Sequence, residues 1–286
     1  MKARLLIAGA LAALTMSGAA QAHRQWMLPS STVLSGTDNW VTVDAAISND
    51  LFYFEHHPMR TDSITVTQPD GSAGKVENPA TGKYRSTFDV HLTQPGTYRI
   101  ASVSAGLMGS YMLNGKRERL PRGTTKETLA KAIPAGATDV QTAEAASRNE
   151  IFVTLGAPTA NLFKPTGVGL EMVPVTHPND LVSGESATFQ FLLDGKPASG
   201  LKVTVIPGGI RYRDALGQMD LTTGADGKLS ITWPQPGMYW LNASTGGGEG
   251  GPGAAQGEGA PQAPQEPAGP PQRRASYVST LEVLAP

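Results

Sequence analysis

The sequence predicts an all-β protein built from two Ig-like or transthyretin-like antiparallel β-sandwich domains, with one short helix and a hairpin between them. Three observations lead to this prediction. Short runs rich in Val, Ile, Thr, Tyr and Phe alternate apolar and polar residues, as strands with one buried face do. Asp-Gly, Pro-Gly and Asn-Pro dipeptides separate these runs at the spacing of hairpin turns. The third observation is an internal repeat.

The repeat relates two distant parts of the chain. Residues 32–37 (TVLSGT) lead into a strand-like run, and residues 180–185 (DLVSGE) lead into another. Residues 88–100 and 229–241 both contain Gln-Pro-Gly, one further residue and then tyrosine. Two copies of one β domain account for this most simply, and roughly 260 residues exceed the usual size of a single core.

These signals divide the chain into four parts. Residues 1–22 read as a signal peptide, because Lys2 and Arg4 precede an apolar run that ends in Ala-Gln-Ala. The first sandwich is expected at residues 23–115, a connecting helix and hairpin at 116–165, and the second sandwich at 166–286. Residues 246–272 are rich in Gly and Pro, and we expect them to form a disordered loop between two paired strands of the second sandwich.

The connecting part has two predicted elements. Thr124 and Glu127 are spaced as a capping box, Leu129 and Ile133 share one helical face, and Pro134 ends the helix. Residues 137–155 are predicted to form a hairpin, with 150–155 as its stronger strand.

Composition excludes several classes of function. The chain has no cysteine, so disulfides, thiolate metal sites, thiol catalysis and a lipid-modified cysteine anchor are ruled out. Its formal net charge is −1, and loss of residues 1–22 would remove two further positive charges. This balance does not suggest nucleic acid or an anionic membrane surface as a partner. After the signal, no segment is apolar for long enough to span a membrane, so we expect a periplasmic protein that does not span the membrane.

His23 is the most informative residue, because cleavage after Ala22 would make it the first residue of the mature chain. A terminal histidine offers a metal ion two nitrogens, the imidazole and the free α-amine. The alternative is that the signal peptidase leaves an ordinary surface histidine at this position.

His56 and His57 are the second and third candidate ligands. With His23, either one would provide three nitrogens, a donor set suited to copper and workable for nickel. Neighbouring residues on a regular strand point to opposite faces, so both could join one site only if the segment is a loop. The alternative is a polar, partly exposed loop without metal.

The other histidines and the methionines are interpreted structurally. His91 is expected to face solvent on a strand, in a cross-strand role beside Asp89. His177 precedes Pro178 in a turn. Met27, Met59, Met108 and Met112 form no Met-rich motif, which favours packing over Cu(I) binding.

The usual catalytic signatures are absent: the chain has no G-x-S-x-G, H-E-x-x-H or P-loop motif. A sandwich can carry scattered catalytic residues, but without a motif we expect a binding protein and not an enzyme.

Several motifs identify a resemblance. They are His-x-x-Trp-x-x-Pro at residues 23–29, GKYRS at 82–86, GLEMVPVTHPNDL at 169–181, DGKP at 194–197 and QPGMYW at 235–240. With them the chain resembles a bacterial periplasmic family that is catalogued as a domain of unknown function and has also been labelled a nickel-uptake substrate-specific component. The resemblance implies handling of a transition metal. The label also implies a transmembrane protein, and this sequence shows no such segment after the signal, so an accessory role is expected.

The function expected from the sequence is therefore binding of a divalent transition metal, nickel or copper, near His23, for an uptake system or for sensing. The partner would be a metal-uptake membrane complex or an outer-membrane receptor. The alternative is a structural or interaction module of the cell envelope that contacts a receptor or a glycan without metal.

Overall fold

The computed structural model describes residues 23–245 and 273–286. The expected signal peptide at 1–22 and the expected loop at 246–272 lie outside the described residues. The first half of the chain contains β1 (Arg24–Pro29), β2 (Val33–Leu34), β3 (Asn39–Ser48), β4 (His57–Pro58), β5 (Ile64–Thr67), β6 (Glu77–Thr81), β7 (Ser86–Leu92), β8 (Gly96–Leu113) and β9 (Lys116–Arg119).

The second half begins after a short helix. It contains α1 (Leu129–Ala132), β10 (Thr138–Leu155), β11 (Leu170–Pro174), β12 (Ser186–Leu193), β13 (Lys196–Pro197), β14 (Lys202–Pro207), a 3₁₀ turn (Ile210–Tyr212), β15 (Met219–Thr222), β16 (Lys228–Thr232), β17 (Gly237–Ser244) and β18 (Arg274–Val283).

The strands form three sheets, and the largest is shared by the two halves of the chain. It runs β15-β14-β17-β18-β10-β8-β5, with β2 beside β10 and β9 beside β8. The parallel pairing of β10 with β18 joins the halves. A second sheet contains β1, β3, β7, β6 and β4, and a third contains β11, β12, β13 and β16. The predicted all-β, sandwich-like fold is confirmed.

The two smaller sheets cover opposite faces of the shared sheet. Neighbouring residues of β10 show this, because Ile151 and Val153 pack in one core whereas Phe152 packs in the other. The first core joins the β1-β3-β7 sheet, through residues such as Val43, to the shared sheet. The second joins the β11-β12 sheet, through residues such as Phe189, to the shared sheet. The period-two alternation of β10 thus builds two cores from one strand.

A third apolar cluster fastens the β1-β3-β7 sheet to the second half of the shared sheet. Trp26 and Leu51 come from the first half of the chain, and Ile206, Trp240 and Val278 come from the second. All five are almost completely buried. Trp240 Nε1 also donates a 3.0 Å hydrogen bond to the carbonyl of Gln25. This cluster fixes β1, and with it the start of the described chain, against both halves.

The internal repeat is visible as repeated local geometry. Gly96 and Gly237, the glycines of the two Gln-Pro-Gly motifs, have φ angles of 126° and 137°. Two residues further on, Tyr98 and Tyr239 bring their hydroxyls back to the preceding turn. The Tyr98 hydroxyl accepts from the backbone N–H of Gln94 at 2.7 Å, and the Tyr239 hydroxyl donates to the carbonyl of Gln235 at 2.7 Å. The motif therefore encodes the same corner twice.

The connecting region differs from the sequence prediction in two details. The helix forms, but it begins after Thr128 and not at the Thr124–Glu127 box, because Thr124 Oγ1 donates to the carbonyl of Pro121 in a turn. Residues 138–155 form one continuous strand, whose antiparallel partner is β8 along nearly its whole length.

Candidate metal site

His23 is placed by β1, which it directly precedes. β1 pairs antiparallel with β3, and this register puts Arg24 opposite Ser48, the last residue of β3. The chain then turns through residues 49–56 and comes back to β3 as β4, where His57 lies opposite Ile47. The start of β1 and the segment carrying His56 and His57 therefore meet at one end of the same strand.

Hydrogen bonds hold this return loop in place. Glu55 Oε1 accepts from the backbone N–H groups of Asn49 at 2.9 Å and Asp50 at 2.8 Å. Arg24 Nη1 donates to the carbonyl of Asn49 at 2.9 Å, and Trp26 Nε1 donates to Ser48 Oγ at 2.8 Å. The residues that follow His23 thus fix the loop that carries His56. Sequence reasoning missed Glu55, and its only signal was its position beside two histidines.

The three candidate ligands lie together. The rings of His23 and His56 are stacked, with centroids 3.6 Å apart and planes inclined by 9°. The rings of His56 and His57 have centroids 4.0 Å apart and planes inclined by 52°. His56 precedes β4 in the loop, so the opposite-face rule for strand neighbours does not separate it from His57. His23 and His56 are half-buried and His57 is exposed.

His56 has the environment of a neutral imidazole. Burial lowers its pKa from the ordinary 6.5, and the neighbouring His23 and His57 lower it further, against the opposing effect of Glu55. Its Nε2 atom is buried and has no hydrogen-bond partner within the described residues. A buried nitrogen without a partner carries a free-energy cost, which a bound ion or a water molecule would relieve.

The arrangement is not a finished metal centre. Within residues 23–245 and 273–286, no group of three or more His, Asp or Glu side chains is placed to hold a metal ion. The rings of His23 and His56 are nearly parallel, with centroids 3.6 Å apart, whereas an imidazole binds a metal in its own plane at about 2 Å. Ligation by both histidines requires one ring to turn.

The second half of the chain borders the site. Arg211 lies over the ring of Tyr53, 4.7 Å from its centroid, and its Nε is 3.8 Å from an Asp50 carboxylate oxygen. On the other side, Arg85 lies 4.2 Å from the centroid of Phe54. Aromatic and cationic side chains thus contact each other around the loop that carries His56.

The remaining histidines do not join the site. His91 lies opposite Trp40 on the neighbouring strand and stacks on it at 4.2 Å. The cross-strand role is therefore correct, but its polar partner is Asp38 and not Asp89. The carboxylate of Asp89 accepts from Thr42 Oγ1 at 2.7 Å instead.

His177 does more than shape a turn. Its Nδ1 accepts from the N–H of Asn179 at 3.1 Å, so in the neutral ring Nε2 carries the proton. Nε2 lies 3.0 Å from Thr97 Oγ1 and 3.2 Å from the carbonyl of Thr159. Thr97 Oγ1 in turn bonds Thr154 Oγ1 at 2.9 Å. His177 thereby ties the start of the second repeat to the first.

The methionines also lie apart from the histidines. Met27 and Met59 belong to the first core, whereas Met108 and Met112 lie on the distal half of β8. None of the helices described in the structure is long and apolar enough to cross a membrane.

Comparisons identify a family but no function. A family model described as "Domain of unknown function (DUF4198)" matches residues 20–247, and its description carries no reference to nickel. No curated protein matches the chain.

Three solved structures show distant likeness. Trypsin-activated alpha-2-macroglobulin from Escherichia coli is 12% identical over 78% of this chain and 14% of its own, with a TM-score of 0.22. The D0-D1 domain of intimin is 11% identical over 76% of this chain and 88% of its own, with a TM-score of 0.18. The TIE protein of Bacillus anthracis is 11% identical over 92% of this chain and 39% of its own, with a TM-score of 0.17. The chain thus spans about one seventh of the first of these structures, and the scores are too low to carry an argument about function.

Proposed function

This chain belongs to the family of the domain of unknown function DUF4198, and we propose that its processed form binds one divalent transition metal ion through His23, His56 and His57. Copper(II) and nickel(II) are the ions that a set of imidazole and amine nitrogens suits best. The role that follows is binding and transfer of the metal for an uptake system, or sensing of it, in the periplasm and without catalysis.

The observation that carries the proposal is the stacking of His23 on His56. Two segments far apart in sequence bring their imidazoles into contact, and His57 lies beside them. Protonated histidines repel one another, so a cluster of three is favoured when the rings stay neutral, as metal ligands must. A shared ligand is one reason to hold them together.

The state of His56 supports the same conclusion. A metal ligand must be a deprotonated imidazole, so protons compete with the metal for the site. Because the pKa of His56 is lowered, this competition is weaker than for an ordinary histidine. The unpartnered Nε2 is then available as a donor.

Cleavage after Ala22 would supply a further metal ligand, the α-amine of His23. The α-amine of His23 is part of a peptide bond while Ala22 is attached, and it becomes a donor only when the chain starts at His23. β1 begins at Arg24, so His23 lies outside the hydrogen-bonded ladder. Its ring and its amine can turn towards a metal without disturbing the strand.

Calorimetric titration of two chains tests the proposal. One chain begins at His23, and the other carries a single additional alanine before it, with both made by removal of a tag. The first should bind one equivalent of Cu(II) or Ni(II). The second should bind at least about tenfold more weakly, since even the loss of a residue that only supports a ligand weakens metal sites by this much.

Equal affinities for the two chains would exclude the terminal amine as a ligand. If neither chain binds either metal, the proposal is wrong. The interaction module that contacts a receptor or a glycan would then be the better account.

A further inference from the structure

A basic segment follows β8. It comprises residues 114–132 and begins with the tight turn Asn114-Gly115, where both φ angles are positive at 50° and 75°. β9 follows and pairs with the C-terminal end of β8. All four residues of β9 are exposed. We call residues 114–132 the basic segment.

Charge in this protein is segregated, which the net charge conceals. The basic segment holds six Lys and Arg against two Glu. The remainder of residues 23–286 holds 15 Lys and Arg against 22 Asp and Glu. A chain with a small net negative charge therefore carries a locally cationic segment on an otherwise acidic body.

Ion pairs use only part of this positive charge. Arg117 pairs with Asp139, and Lys126 pairs with Glu144. The other four cations are exposed and form no ion pair within the described residues: Lys116, Arg119, Arg122 and Lys131. They remain available to an external anion.

Apolar side chains accompany the cations. In the β8–β9 pair, Leu113 lies opposite Lys116 and Met112 lies opposite Arg117, so each apolar side chain shares a face with a basic one. Val140, on the neighbouring strand, is 41% exposed. Long basic side chains beside partly exposed apolar ones are typical of segments that lie at a membrane surface.

The basic segment and the histidines lie towards the same end of β10, where Lys126 pairs with Glu144. Gln25 Nε2 is 3.5 Å from Ser147 Oγ, and Thr154 N–H donates to the carbonyl of Thr32 at 2.8 Å. β1 therefore runs alongside β10 in the same direction. His23 and Arg24, which directly precede Gln25, therefore lie towards the part of β10 that leads back to the basic segment.

We propose that the basic segment binds the surface of an anionic phospholipid membrane and presents the histidine end of the protein to it. A planar anionic surface fits better than an acidic protein, because the cations are spread along an exposed strand and turn and do not line a cleft. The acidic body would be repelled by the same surface, which orients the molecule with the basic segment inwards. Cations on an edge strand also discourage aggregation, a role that requires no such segregation of charge.

Vesicle sedimentation without metal tests this inference. The chain beginning at His23 should bind vesicles of phosphatidylcholine mixed with phosphatidylglycerol, and not vesicles of phosphatidylcholine alone. Binding should fall as salt is added, because salt screens exposed charges. Lys116→Glu with Arg119→Glu should weaken binding by about tenfold or more, since each basic residue near the surface contributes substantially.

A control variant separates the effect of where the charges lie from the effect of the net charge. Lys75→Glu with Lys164→Glu changes two exposed cations outside the basic segment by the same amount and should keep most of the binding. Circular dichroism establishes that both variants fold. Equal loss in the two variants, or no preference for the anionic vesicles, would overturn the inference. Binding to polyglutamate but not to vesicles would also overturn it, in favour of an acidic protein partner.

This inference goes beyond the proposed metal site and can fail independently of it. The vesicle assay contains no metal, and the metal titration contains no lipid. The Lys116 and Arg119 variant should titrate with Cu(II) as the parent does.

Discussion

The imidazole of His23 lies flat against that of His56, with 3.6 Å between the ring centroids. The contact exists because β1 and β3 pair in a register that ends with Arg24 opposite Ser48, and because Glu55 closes the loop that brings His56 back to this end. The position of the site is therefore a consequence of strand pairing and not of local sequence.

The stacked pair predicts how His56 titrates. Burial and the two neighbouring imidazoles lower its pKa, so His23→Ala should raise the pKa of His56 towards 6.5, the ordinary value. NMR titration of the imidazole signals measures this directly, and His91→Ala is the matched control that should leave His56 unchanged. An unchanged or lower pKa in the His23 variant would mean that the stacking is absent in solution.

His177→Ala should destabilise the protein by about 1–3 kcal/mol, because it removes the hydrogen bonds of the ring to the buried Thr97 hydroxyl and to the Asn179 N–H. Chemical denaturation compares the free energy of unfolding of this variant with that of His91→Ala. Because the His91 side chain is partly exposed, its removal should lower the free energy of unfolding by less than about 1 kcal/mol. Similar losses in the two variants would show that the His177 network contributes little.

Stability should fall when the pH falls below about 6.5. Burial lowers the pKa of His177, and the pKa of His56 is also lowered. In this range the unfolded chain takes up protons that the folded chain does not. The stabilisation is complete above the unfolded pKa and is lost as the pH falls through the folded pKa. The slope of the free energy of unfolding against pH should be smaller in His177→Gln, because glutamine keeps polar atoms but does not titrate. Equal slopes would exclude His177 as a source of the effect.

Replacing residues 246–272 by a short Gly-containing turn should leave the fold intact. The flanking strands already pair, with Ser244 opposite Ser276 and the Thr245 N–H donating to the carbonyl of Ala275 at 2.9 Å. Shortening a loop changes its closure entropy only slowly with length, so the midpoint of thermal unfolding should change by only a few degrees. A large decrease would show that the removed residues contribute to stability.

Local patterns in the sequence predicted the elements that depend on local chemistry. The alternation of Phe88, Val90 and Leu92 correctly placed one face of β7 in the core. The Gln-Pro-Gly motifs predicted a repeat, and Tyr98 and Tyr239 form the same corner in both copies. These features need only neighbouring residues to be specified.

Features that depend on distant pairing could not be predicted. The capping box at Thr124 and Glu127 was wrong for a different, local reason: Thr124 Oγ1 donates to the carbonyl of Pro121 instead, and the helix starts later. Residues 138–155 contain turn-forming residues, yet pairing with β8 keeps them in one strand. The contact of His23 with His56 depends on the β1–β3 register, and no short-range pattern encodes it.

The most direct test of the account is calorimetric titration with Cu(II) and Ni(II) of the chain that begins at His23, beside His23→Ala and His91→Ala. The parent and His91→Ala should each bind one equivalent with the same affinity. His23→Ala should bind far more weakly, and the affinity of the parent should decrease as the pH falls, because the ligand nitrogens must lose their protons. If His23→Ala binds as tightly as the parent, the terminal metal site does not exist.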